Sequence, residues 1–304
     1  MFDINQVPSQ IGRIAIVTGA NVGLGFETTK ALAAKGATVI MACRSEQRAL
    51  AAQEQIQAEL PTAKLQFIPL DLSNLASVRQ FAATFQTEHK RLDLLINNAG
   101  VMIPPYQKTV DGFELQMAAN YFGHFLLTSL LLPILEGTDG ARIVNLSSVA
   151  HRTGRIHFSD LHAEKHYNRI KYYGQSKLAM LMFTYELDRQ LKANGYRTLA
   201  VAAHPGVSTT NLSRYIPSFV MLLLKPWLRL FSHSPIDGAQ PQLYAALGED
   251  INSGDFTGPD GFKEVKGKAI KVKPMPHAED RDVAGRLWNI STELTGAIWF
   301  SSLR

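Results

Sequence analysis

The chain has 304 residues, 46% of them hydrophobic and 19% charged, with 31 basic against 26 acidic side chains for a net charge of +5. Such a composition excludes intrinsic disorder and collagen-like repeats, and a chain of this length buries enough surface to need no disulfide or metal staples. No long Lys/Arg block concentrates the charge, which argues against nucleic acid as a partner, and the single cysteine, Cys43, makes neither an internal disulfide nor a multi-thiolate metal site.

Residues 1–10 lack the basic-then-apolar pattern of a secretion signal, and no run of about 20 apolar residues follows, so a cytoplasmic location is expected. Short β-branched runs at 13–18, 38–43, 65–70, 92–97, 142–146 and 198–204 read as buried strands. Helical patterns lie between them at 26–35, at 46–60 where Pro61 closes the run, from Ser73 and Asn74 onward, and at 114–135 and 175–193. Strands alternating with helices predict parallel βαβ units, hence an α/β fold with one doubly wound domain over 1–304 and helices on both faces of the sheet. Past His204 the alternation is expected to stop. Segment 207–240 is punctuated by prolines and carries Phe219 to Leu224, Trp227, Leu228, Leu230 and Phe231. It reads as an apolar substrate lid, as a peripheral membrane contact with Lys225 and Arg229 at headgroups, or as a buried helix pair.

The first strand runs into Thr18-Gly19-Ala20-Asn21-Val22-Gly23-Leu24-Gly25. Glycines at this spacing let the backbone turn sharply and approach a pyrophosphate, while the next helix aims its N-terminal amides at the anion. The Gly-Lys-Ser/Thr of an NTP-binding loop is missing. The second strand ends Met41-Ala42-Cys43-Arg44 with no acid to accept from ribose hydroxyls, and the planar fork of Arg44 suits a 2′-phosphate. NADP(H) is therefore expected over NAD(H).

Tyr173 and Lys177 stand four apart and share a helix face. An ammonium beside a phenol favours the phenolate and brings its pKa toward a value useful for proton transfer. Asn97-Asn98-Ala99-Gly100 and Asn145-Leu146-Ser147-Ser148 close the fourth and fifth strands, at the carboxyl ends where α/β sheets bind ligands. His157, His162 and His166 lack a convincing third ligand by spacing, so no metal is expected. Lys263, Lys266, Lys268, Lys271 and Lys273 read as a solvated rim, and Trp288 and Trp299 as core or subunit contacts in a C-terminal helix.

Taken together, Thr18-Gly-x3-Gly23-x-Gly25, Asp71-Leu72, Asn97-Asn98-Ala99-Gly100, Asn120, Ser148, Tyr173-x3-Lys177 and Pro205-Gly206 resemble the short-chain dehydrogenase/reductase family over roughly residues 13 to 210. Met41 to Arg44, Gly123-His-Phe-Leu-Leu127, His204-Pro-Gly-Val207 and Arg286-Leu-Trp-Asn-Ile-Ser291 look like its retinol dehydrogenase branch, with protochlorophyllide reductases nearby. The resemblance implies that Tyr173 is the general acid–base, that Lys177 lowers its pKa and holds the nicotinamide ribose, that Ser148 rather than Ser147 donates to the substrate oxygen, and that Asn120 positions a water. Along the cofactor it implies Gly19, Asn21, Val22, Gly23, Leu24, Gly25 and Arg44, then Asp71 and Leu72 at the adenine. Asn98, Ala99 and Gly100 come next, with Pro205, Gly206, Val207 and the Ser208 to Thr210 turn at the carboxamide. The gap from Ser148 to Tyr173, 173 − 148 = 25, is longer than usual in the family at large and is shared by the retinol-type branch. The expected reaction interconverts an apolar, retinal-like aldehyde or ketone and its alcohol. Reduction of a tetrapyrrole double bond is the other enzymatic reading, and a non-catalytic NADP(H)-binding sensor is the alternative of another class. Family members often pair through the long helices, which here would include 114–135 and 175–193.

Overall fold

The computed structural model describes residues 2–207 and 233–300. Its strands are β1 Ile14–Thr18, β2 Thr38–Cys43, β3 Lys64–Pro69, β4 Leu94–Asn97, β5 Arg142–Leu146, β6 Leu199–Ala203, β7 Phe256–Pro259 and β8 Ala269–Lys271. They form one sheet in the order β3-β2-β1-β4-β5-β6-β7-β8, parallel except for β8, which runs antiparallel to β7. Central strands such as β1, β4 and β6 are buried nearly end to end, because helices cover both faces. The strand order reverses between β1 and β4, and it is outside the carboxyl ends at such a switch point that open α/β sheets bind ligands.

The helices are α1 Gly23–Ala34, α2 Glu46–Glu59, α3 Leu75–Glu88, α4 Leu115–Glu136, α5 Arg169–Ala193, α6 Pro235–Leu247 and α7 Arg281–Thr295. One core joins α3, α4, α5 and α7 around Phe81, Phe85, Phe125 and Phe183, and the other joins α1, α2 and α6 around Leu32, Ile56 and Leu243. Two starts differ from the sequence reading. α1 begins at Gly23 because the glycine motif itself makes its first turn. α5 begins at Arg169, six residues before the apolar pattern, because the Asn168 side chain accepts from the Ile170 and Lys171 amides as an N-cap.

The alternation does not stop at His204. α6 and β7 continue it, disguised by Pro235 and Pro241 in the helix and by a strand of only Phe-Thr-Gly-Pro. Pro235 sits in the first turn of α6, where its missing N–H has no partner to lose. Residues 235–240, assigned to a lid by sequence, are thus the start of a core helix that reaches α1 through Gln242, bonded to Leu24 O at 3.3 Å and to Thr28. The remainder of that segment, with Ser208, Thr210 and the apolar run 215–231, lies outside the described residues.

α4 also revises the expectation of no membrane-length run. It has 22 residues and a mean hydropathy of 1.4, enough to cross a bilayer by length and composition, yet 83% of that window is buried inside the protein. Every residue from 113 to 129 is buried, as is every residue from 174 to 184 on α5. α7 and the segment after it account for much of this. Tyr121 OH meets Ser291 Oγ at 2.7 Å, Arg79 donates to Thr295 O at 2.7 Å, and Trp288 lies 5.2 Å from the Phe125 ring. Trp299 is not in the C-terminal helix as expected. Gly296 ends that helix in the left-handed region, φ 61°, and Trp299 folds back to 5.0 Å from Phe125 and 4.5 Å from Trp288.

Candidate active site

The turn after β1 is built around backbone conformations that side chains rarely adopt. Gly19 and Gly23 have φ of +67° and +58°. A Cβ on Gly25 would stand 2.2 Å from Gly19 O and 2.6 Å from Asn98 Nδ2, so α1 rests directly on the turn. The N-cap of α1 is Val22, extended at φ −160° and with no side-chain cap. The first-turn amides are therefore free of a capping side chain and fit an anionic group such as a pyrophosphate. Asn98 Nδ2 donates to Thr18 O at 2.8 Å, and the amides of Asn98 and Ala99 both donate to Thr18 Oγ1 at 2.9 Å. These bonds stitch the ends of β1 and β4 together. Cys43 lies under the turn, where its sulfur accepts from the amides of Ala20 and Asn21, and burial pushes its pKa up to about 11.

At the ends of β2 and β3, Arg44 reaches to 4.0 Å from Asp71 Oδ2 with its side chain 61% exposed. Asp71 Oδ1 takes Ser73 N at 2.9 Å and Ser73 Oγ at 2.6 Å. Leu72 is buried, and its carbonyl lies so near Gly123 that a Cβ there would stand 2.3 Å away.

A π-helical turn at Ala118–Phe122 carries Asn120. Its Oδ1 accepts from Val101 N at 2.7 Å, and its Nδ2 donates to Val101 O and to Ser176 Oγ, both at 2.9 Å. A Cβ on Gly100 would meet Asn120 Oδ1 at 3.2 Å and Lys177 Nζ at 3.5 Å, so the amide and the ammonium converge on that glycine. Lys177 Nζ donates to Leu146 O at 2.9 Å, and burial pulls its pKa down to about 8. Tyr173 is partly buried, and burial raises its pKa, while the nearby Ser148 hydroxyl lowers it. Spacing leads to the expectation of a phenol lowered by Lys177; here burial holds the phenol up, Ser148 opposes it, and Lys177 Nζ is engaged with Leu146 O on β5. The choice between the two serines is explicit. Ser147 Oγ is buried and donates to Lys177 O at 2.7 Å, whereas Ser148 is partly exposed, accepts from Ala150 N at 3.2 Å and acts to lower the Tyr173 pKa.

The Pro205–Gly206–Val207 turn is clamped by the loop that joins β7 to β8. Gly206 has φ +70°, a Cβ on it would stand 2.4 Å from Val265 O, and Val207 N donates to Val265 O at 2.9 Å. The buried His204 accepts from Gly206 N at Nδ1, 3.2 Å, and donates from Nε2 to Glu264 Oε2 at 2.8 Å, where Arg152 Nη2 also lies 2.8 Å away. Sequence reading gave no role to His204, Glu264 and Arg152, because their partners are 60 and 112 residues apart, nor to His124, described below, although both histidines stand in motifs that carried the resemblance. The signal for His124 was a lone histidine inside an apolar helix, one turn after Asn120. His162 stacks on Phe113 at 5.1 Å.

A doubly wound sheet, an uncapped glycine-rich turn at its switch point, and a tyrosine, lysine, serine and asparagine gathered at the neighbouring strand ends define a nicotinamide-dependent oxidoreductase of alcohols and carbonyls. The short chain dehydrogenase family matches residues 13–219. Retinol dehydrogenase 12 of Bos taurus is 44% identical over 290 residues, covering 95% of this chain and 88% of the relative. Retinol dehydrogenase 13 of Homo sapiens is 44% identical over 292 residues, covering 94% and 85%. Among solved structures, an uncharacterized protein from Mycobacterium Paratuberculosis superposes with a TM-score of 0.81 at 38% identity, covering 98% of both chains. The Pseudomonas aeruginosa RhlG/NADP complex gives 0.64 at 26% identity, covering 82% and 94%. The chain belongs to the short chain dehydrogenase family, in its retinol dehydrogenase branch.

Proposed function

We propose that the protein is an NADP(H)-dependent reductase of apolar, retinal-like aldehydes or ketones, with Tyr173 as general acid–base. The observation that carries this reading is the convergence of Asn120 Oδ1 and Lys177 Nζ on Gly100, with Ser148 acting on the Tyr173 phenol beside them. The two hydroxyls meet the substrate oxygen where negative charge develops, the place where preorganised donors accelerate most. A phenol whose pKa is raised by burial keeps its proton at neutral pH and gives it to that oxygen. The Lys177 ammonium, held on Leu146 O, would offer its remaining protons to ribose hydroxyls. The nicotinamide cofactor, when bound, supplies the hydride; Gly19, Asn21, Val22, Gly23, Leu24 and Gly25 would hold its diphosphate. Asn98, Ala99, Gly100, Pro205, Gly206 and Val207 would line it toward the carboxamide. The exposed guanidinium of Arg44 at the end of β2 supports a 2′-phosphate partner.

NADPH and NADH oxidation with all-trans-retinal, decanal and benzaldehyde tests this. NADPH-dependent turnover of retinal or decanal is expected, and Arg44→Ala should raise KM for NADPH about tenfold, the scale of one charge-assisted hydrogen bond, while leaving KM for NADH unchanged. Equal use of both cofactors by the unaltered protein overturns the NADP(H) reading. Silence toward all three carbonyls with tight NADPH binding points to a tetrapyrrole substrate or to a sensor.

Among the described residues, α7 and Trp299 already cover Phe125 and Phe183, so the buried α4 and α5 offer no open apolar face for the pairing expected of the long helices. A monomer of 33.6 kDa is the expected result of light scattering coupled to gel filtration. A dimer cross-linked through α4 and α5 is the contrary result.

A further inference from the structure

His124 is 0% exposed on α4, and the chemistry proposed above makes no use of it. Its two ring nitrogens have different partners. Nδ1 lies 3.2 Å from Asn120 O, one helical turn back, and Nε2 lies 3.0 Å from Thr18 Oγ1 at the end of β1. These partners fix the tautomer. A carbonyl only accepts, so Nδ1 carries the proton. Thr18 Oγ1 already accepts the amides of Asn98 and Ala99, which fills its two lone pairs and leaves its own proton to donate. Ile96 O stands at 3.3 Å from that hydroxyl and Nε2 at 3.0 Å, so Nε2 is the better acceptor. Both ends thus demand the same neutral ring. Burial, with the Lys177 charge acting in the same direction, pushes the imidazole pKa down to about 3, which keeps it neutral.

The resulting chain of bonds runs from the Asn98 and Ala99 amides through Thr18 and His124 to the Asn120 carbonyl. It joins three backbone turns that come from distant parts of the sequence: the turn after β1, the turn after β4 and the π turn of α4. The first two are where the cofactor would lie. The third carries the side chain that converges with Lys177 on Gly100. A π turn is wider than an α-helical one and holds its shape through tertiary contacts, and the His124 ring supplies such a contact at the carbonyl itself.

We propose that His124 is a positioning residue that sets the Asn120 carbonyl relative to Lys177 and couples it, through Thr18, to the cofactor-binding turns. This rests on the reductase reading above. Three variants separate the two ends of the ring. His124→Leu removes both bonds, His124→Asn keeps a donor near the Nδ1 position, and His124→Gln keeps reach toward Thr18. His124→Leu is expected to lower kcat on the order of 10- to 100-fold, the scale of a catalytic group misplaced by a fraction of an ångström to an ångström, and to raise KM for NADPH several-fold. His124→Asn should recover most of kcat without restoring KM, and His124→Gln should restore KM without recovering kcat. Thr18→Val removes the same bond together with the acceptor for the Asn98 and Ala99 amides, so it should raise KM further than His124→Leu, and the double variant should fall short of the sum of the two singles because they share one bond.

Parallel losses of kcat and KM in all three variants, tracking their melting temperatures, overturn the proposal in favour of a packing role, as does a His124→Leu protein with unchanged kinetics. If His124→Leu does not fold, the contrast between Asn and Gln decides. If the unaltered protein reduces no carbonyl, the functional reading fails by itself, and NADPH fluorescence titration still reads the Thr18–His124 bond: weakening in the Thr18→Val, His124→Leu double variant that falls short of the sum of the two singles supports it, and additive weakening overturns it.

Discussion

Tyr173→Phe is expected to lower kcat for carbonyl reduction by about 10²- to 10⁴-fold, the range for loss of a positioned proton donor, with NADPH affinity within a few-fold of the unaltered protein. The substitution keeps the ring and its place on α5 and removes only the phenolic hydroxyl. Solvent water does not substitute for it, because the donor must be in place, within hydrogen-bond reach, when charge develops on the substrate oxygen. Lys177 keeps its bond to Leu146 O and Asn120 its bonds to Val101, none of which involves the phenol, so the cofactor side of the site stays intact. Steady-state rates on retinal or decanal, together with NADPH fluorescence titration, check both halves. Turnover within tenfold of the unaltered protein would remove Tyr173 from the chemistry, and a collapse of NADPH binding would make it a structural residue instead.

What the sequence reveals here follows the range of the interactions involved. Strands buried on both faces are nearly continuous apolar runs, so six of them were readable from composition alone, and the glycine turn was readable because sterics restrict which residues fit it. β7 was not, since Phe-Thr-Gly-Pro has no period to detect and is a strand because β6 and β8 pair with it on either side. The start of α5 was hidden for a similar reason. Arg169 to Tyr173 has no apolar stripe, and helix formation there depends on the Asn168 cap and on Tyr172, whose hydroxyl donates to Asp160 O at 2.6 Å. The Tyr173–Lys177 spacing was legible, but its electrostatics were not. Which way the ammonium turns is decided by Leu146 on β5, and which serine acts on the phenol is decided by Ser147 being taken by Lys177 O. His204 and Glu264, 60 residues apart, show the same limit: a pair across a turn has no signature within either segment.

Gly25→Ala is expected to destabilise the protein and to weaken NADPH binding at least tenfold, against the ordinary effect of alanine in a helix. Gly25 is the third residue of α1, and helix propensity alone predicts a gain of about 1 kcal/mol from the change. The added Cβ, however, would stand 2.2 Å from Gly19 O and 2.6 Å from Asn98 Nδ2. The nearer atom is backbone in a turn whose glycine already sits at φ +67°, so it has no rotamer to escape into and α1 must move as a unit. Overpacking of this kind costs about 1–3 kcal/mol, which equals or exceeds the propensity gain. The displacement also falls on the uncapped first turn of α1, the part that would hold the diphosphate. Gly285 supplies the control. It lies in α7, a Cβ there meets nothing within 4 Å, and Gly285→Ala is expected to stabilise by about 0.5–1 kcal/mol. Thermal melts with and without NADPH read both. A lower melting temperature for Gly25→Ala with a lost NADPH-induced shift, beside a raised one for Gly285→Ala with that shift retained, is the expected pair. If both variants rise, the contact between α1 and the Gly19 turn is loose enough to absorb a methyl group, and the close approach to the anion argued for this turn fails with it.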